Sequence, residues 1–186
     1  MIRTTAISLF GLAISVWAGP IWAQPTNPYA GQETRELKAL SPREIDDLAQ
    51  GRGMGLARPA ELNRYPGPLH VLELAGELQL TAEQRNGIEA SKARMSTRAK
   101  VLGAEILHLE RDLDTAFARR KIDSARLNDL TARIGARQGA LRAIHLEAHI
   151  ETAELLLPEQ ISRYDALRGN GSTAPAAAQG GHGTKH

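Results

Sequence analysis

The chain has 186 residues, a formal net charge of +2, only 4 % aromatic residues and no cysteine. That length suits one modest domain. The missing cysteine excludes disulfides and a lipid-modified N-terminal thiol, and the small charge excess with few stacking rings argues against a nucleic-acid partner.

Residues 1–23 have the parts of a secretory signal: Arg3, the apolar run AISLFGLAISVWA, and a small closing residue, Ala23. The run is shorter than the roughly 20 residues a membrane-crossing helix needs. The expectation is therefore export to the periplasm with cleavage, a retained anchor being the alternative. Residues 24–65 read as an extended arm with one short helix over 41–50. Ser41 is placed to N-cap it, Pro42 suits its first position, Glu44 completes a capping box, and Gly51 ends it. The following GRGMG lacks the Lys-Ser/Thr and the preceding strand of a phosphate loop, and reads as a linker.

From residue 66 to 168 the apolar period is helical, with no strand-like alternation. Leu69, Leu72 and Leu78 predict a short helix ending before Thr81. Ile88, Met95, Leu102, Ile106, Leu109, Leu113 and Phe117 then form one stripe on a helix over 82–118, about 55 Å long at 1.5 Å per residue. Asp123 or Ser124 caps the next helix, whose stripe is Leu127, Leu130, Ile134, Leu141, Ile144, Ala148 and Leu155. Pro158 opens a final short helix. A turn this short makes the long helices antiparallel, giving an all-α fold: a long antiparallel helical hairpin with short flanking helices. Two lean stripes make a thin layer, so a second copy is expected to complete the core. Gly87, Gly103, Gly135 and Gly139 interrupt the helices, where they would permit close approach or bending. Residues 169–186 are rich in Gly, Ala and Ser, and are expected to form a disordered tail.

One phrase occurs twice. Leu80, Thr81 and Gln84 open the first long helix; Leu156, Pro158 and Gln160 open the last short one. Thr81 with Gln84 makes a capping box. In the second copy Leu157 stands where Thr would cap, and Pro158 presets the first turn instead. These paired motifs, flanking a helical hairpin behind a signal segment, resemble the LTxxQ motifs of the periplasmic Spy/CpxP family over residues 66–168. The resemblance implies a cradle-like homodimer in the periplasm. It further implies an ATP-independent chaperone, a damper of stress-sensor kinases, or a metal-responsive sensor.

Arg85, Lys92, Arg94, Arg98 and Lys100 face Glu89 alone within residues 85–100. With Met95 on the stripe between them, they are the candidate client-binding residues for unfolded or stressed envelope proteins: charge steers the encounter and apolar contact retains it. An ordinary solvated face is the plainer reading. Residues 101–118 reverse the sign through Glu105, Glu110, Asp112 and Asp114, which could set register between two copies.

His145 and His149 are four apart on one helix face, and His70 precedes the first motif, making the three a candidate zinc, nickel or copper site. The family's nickel–cobalt sensors carry a pair of ligands ahead of each motif. Here Leu74 and Ala153 stand where the further ligands would fall, so only part of that set is present. The glutamate of HLEAH is misplaced for a zinc protease. His182 and His186 in the tail specify nothing. No catalytic constellation is evident, which argues against an enzyme. The leading expectation is a periplasmic chaperone or envelope-stress protein that requires no cofactor. The alternative is a heavy-metal sensor acting on a membrane partner such as a sensor kinase or an anti-sigma factor.

Overall fold

The computed structural model describes residues 27–169; the expected signal segment and the tail from residue 170 onward lie outside the described residues. Helix accounts for 69 % of the described residues, and none of them is in a strand. The helices are α1 (Pro42–Ala49), α2 (Arg58–Glu61), α3 (Pro68–Glu73), α4 (Ala82–Ala118), α5 (Ser124–Leu155) and α6 (Pro158–Arg168). None among the described residues is long and apolar enough to cross a membrane. The chain divides into two units after Glu33. In the first, residues 27–33 form turns held by Ala30 N–H to Asn27 O and Gln32 N–H to Tyr29 O. The second unit carries all six helices of the described residues.

Helix ends sit where local chemistry puts them. Ser41 and Glu44 form the reciprocal capping box at α1, and Thr81 and Gln84 do the same at α4. Gly51, at φ +64°, ends α1 by presenting its N–H to Leu48 O while Arg52 N–H reaches Asp47 O. After α4 the chain reverses within five residues. Arg120 takes a left-handed conformation, Lys121 N–H bonds Ala116 O, and the Asp123 carboxylate accepts from Arg126 N–H to start α5. Ion pairs then run in opposite sequence order along the two rods: Arg94 with Glu151, Arg98 with Glu147, Glu105 with Arg137. The hairpin is antiparallel.

The apolar stripes bury in three places. Leu109, Leu130 and Ile134 pack near the turn. Ala99, Ile106, Leu107, Leu141 and Ile144 fill the middle. Ile88 meets Val71, Leu78, Leu156 and Tyr164 at the open end.

The expected extended arm is not extended. Leu37 and Leu48 are buried in the middle cluster, so residues 34–56 lie against the hairpin and supply a further layer to its core. Gly103 makes this possible: a Cβ there would come within 1.9 Å of Leu48 O, and only glycine lets α1 approach so closely. Gly87 packs against Leu155, whereas Gly135 and Gly139 face open space. Part of the cover expected from a second copy is thus supplied within the chain by residues 34–56.

Two further expectations shift. The short entry helix stops at Glu73, with Val71 fully buried and Leu69 46 % exposed. Phe117, at the far end of the α4 stripe, is 54 % exposed, while Ala116 is buried in its stead. Residues 58–61 form α2, a helix not foreseen, although Pro59 in its first turn was a usable signal.

Candidate functional site

The two repeated phrases meet in space. Gln84 Nε2 donates to Gln160 Oε1 at 2.8 Å, and Gln160 Nε2 donates back to Gln84 Oε1 at 3.1 Å. Each oxygen also accepts the N–H that opens its own helix, from Thr81 at 3.0 Å and from Leu157 at 2.8 Å. Each nitrogen also donates to a carbonyl, Leu155 O for Gln84 and Leu78 O for Gln160. Both amides are thus used to their full geometric capacity, and flipping either would set donor against donor. At α6 only one half of the capping box exists, since Leu157 has no acceptor. Local spacing marks both helix starts but does not say that residues 76 apart touch, so the amide pair is invisible in the sequence. This pair is architectural. It closes the open end of the hairpin, with Leu80 packed against the same buried cluster as Leu156.

Beside that end lies a cleft of about 560 Å³ between the segment 51–70 and the α4–α5 pair. His70, His145 and His149 all line it. His149 Nδ1 lies 2.7 Å from Tyr65 O and 3.6 Å from Glu61 Oε2. A carbonyl oxygen only accepts, so Nδ1 carries the hydrogen in this contact. A Cβ on Gly67 would press against this ring at 2.9 Å, so the turn at Gly67 seats the imidazole. Glu61 is fixed in turn by the buried Tyr164 hydroxyl, which donates to it. Burial, and then the Glu61 carboxylate, push the Tyr164 phenol well above its ordinary range. His70 Nδ1 lies 2.8 Å from Glu73 Oε2.

His145 is 4 % exposed, and its Nε2 is buried with no partner among the described residues. Burial, then the neighbouring His149, lower its pKa below the ordinary 6.5. The structure therefore gathers the three candidate histidines around one cleft. It does not bring them into a coordination shell: among the described residues no group of three or more His, Asp or Glu side chains is placed to hold a metal ion.

The six candidate client-binding residues divide between the α5 side of α4, the histidine cleft and solvent. Arg94 and Arg98 reach across to α5, where they pair with Glu151 and Glu147. Glu151 also accepts from Ser91, and that bond together with Arg94 holds its carboxyl below the usual range. Lys92 and Met95 line the histidine cleft. Arg85 and Lys100 are exposed.

A different apolar feature is present. Val101 lies about 160° of helix rotation from Gly103, at 100° per residue, and so on the side of α4 turned away from α1. It is 56 % exposed. With Thr97, Leu102, Ala140, Ala143 and Ile144 it lines a groove of about 410 Å³ running between α4 and α5, with Arg98 at its edge. The Arg98–Glu147 and Glu105–Arg137 pairs lie along the same two helices. The sequence signal was available: small residues at 136, 139, 140 and 143 leave one side of α5 low.

No family model, curated protein or solved structure matches the chain.

Proposed function

We propose that the chain is an exported, ATP-independent chaperone or envelope-stress protein that holds exposed segments of other proteins on the α4–α5 face. One observation carries this reading: the uncovered apolar groove around Val101, Ala140 and Ala143, with Arg98, paired to Glu147, at its edge. Such a face offers apolar contact without demanding a residue pattern, and its charged margin keeps it soluble. The periplasmic location rests on the signal-like residues 1–23, and the resemblance of the paired motifs to the Spy/CpxP family supports the same role. The homodimer belongs to this reading as well, with the groove open to a second copy.

Aggregation of a chemically reduced model client, followed by light scattering, tests the role. Stoichiometric protein should suppress it, and Val101→Glu or Ala143→Glu should abolish suppression with the circular dichroism spectrum unchanged. No suppression by the unaltered protein, or suppression indifferent to both substitutions, would overturn it. Multi-angle light scattering gives the oligomeric state independently.

Sensing of zinc, nickel or copper is the rival reading. Its support is the convergence of His70, His145 and His149, two of which present Nδ1 to an oxygen, as metal-binding imidazoles do. Calorimetric titration should then show uptake that His149→Ala removes. Absence of heat rejects it.

A further inference from the structure

The histidine cleft has a second chemical character, independent of the α4–α5 groove and of metal sensing. Four cationic side chains line it, Arg52, Arg58, Lys92 and Arg168, against one carboxylate, Glu61. Arg52 is already engaged by Asp46 and Asp47 outside the lining. Glu61 is committed to Tyr164, with Arg168 at 3.9 Å and His149 at 3.6 Å. Lys92 and Arg58 enter no ion pair among the described residues, and Lys92 is only partly exposed. The remaining wall is apolar, from Met95, Leu62, Leu69 and Pro68, with Leu62 and Leu69 largely exposed to solvent. Gly51, Gly53 and Gly67 form part of the lining, where a Cβ would press on α4 at Gly51 and on the His149 ring at Gly67, so the segment can lie close against the rods.

We propose that this cleft binds a small organic anion with an apolar body, a medium-chain carboxylate being the simplest example. Its carboxylate would lie toward Lys92 and Arg58, and its chain along Met95 and Leu69. Three features select this occupant. The volume falls within the roughly 300–1,000 Å³ of small-molecule sites, which join apolar walls to a few polar anchors. A surplus of cationic groups lining a concave surface attracts anions. The one carboxylate among the described lining residues, Glu61, is offset by Arg168 at 3.9 Å, which leaves Lys92 and Arg58 as the uncompensated charges.

Isothermal titration calorimetry on the purified full chain tests this with three probes of equal chain length: decanoate, decanol and decyltrimethylammonium. Decanoate should bind at least tenfold more tightly than the alcohol, and the cation should give no saturable heat. Lys92→Glu and Arg58→Glu should each weaken decanoate at least tenfold while leaving helicity unchanged, and Arg85→Glu on the same helix as Lys92 should have no effect. Binding should persist unaltered in EDTA, which separates it from the metal reading. It should also survive Val101→Glu, which separates it from client binding. Equal affinity for alcohol and carboxylate, no decanoate heat, indifference to both charge reversals, or loss of binding in EDTA would each overturn the proposal. So would a short peptide with a C-terminal leucine binding more tightly than decanoate, since the occupant would then be a polypeptide end.

Discussion

Replacing Gln160 by Met keeps the side-chain length and removes both polar atoms of its half of the amide pair. Four hydrogen bonds disappear: those to Gln84 in both directions, the one from Leu157 N–H and the one to Leu78 O. Gln160 is buried at 8 % exposure, so water cannot readily replace them. A typical bond contributes about 1 kcal/mol net, and a buried group left without a partner costs about 1–3 kcal/mol. The expected loss is roughly 3–5 kcal/mol, or a fall in Tm of roughly 8–15 °C for a chain of this size. Gln84→Met should cost less, since Gln84 is more exposed and solvent can reach the Thr81 N–H. The informative measurement is the double-mutant cycle, read from urea midpoints. The two mutual bonds are lost in either single variant but only once in the double, so the combined loss should fall short of the sum by roughly 1–3 kcal/mol. Additivity within about 0.5 kcal/mol would refute the claim that the repeated motifs clamp one another.

Gly103→Ala should destabilise by about 1–3 kcal/mol, because the new methyl would meet the α1 backbone at Leu48. Gly135→Ala and Gly139→Ala, where the added methyl meets nothing, should each stabilise by up to about 1 kcal/mol, and thermal melts of the three variants check the contrast. His145 has a folded-state pKa depressed below 6.5 by burial and by His149, so the unfolded chain binds its proton more readily. The stability from keeping His145 neutral is therefore complete above pH 6.5 and is lost as pH falls through the depressed value. Urea midpoints should fall from pH 7 to 5, and His145→Met should flatten that dependence.

The all-helical class and the ends of α1, α4, α5 and α6 were legible in the sequence because they are local matters. Ser41, Thr81 and Asp123 cap with side chains a few residues from the N–H groups they satisfy, and Pro158 sets its own backbone angle. The 3.6-residue period of Ile88, Ile106, Leu109, Leu130, Ile134, Leu141 and Ile144 likewise marks the buried sides of the two rods from sequence alone. The candidate histidines were named from spacing, but whether His70 would come near His145 and His149 was beyond that reach.

Tertiary structure decided the rest. It folded residues 34–56 onto the hairpin through Leu37, Leu48 and the gap at Gly103. It joined Gln84 to Gln160, turned Arg94 and Arg98 toward glutamates on α5, and placed Lys92 and Met95 in the cleft. A period fixes which side of a helix is apolar. It does not say which distant segment will cover that side, since that depends on shape and charge matched between parts of the chain with no regular relation in sequence.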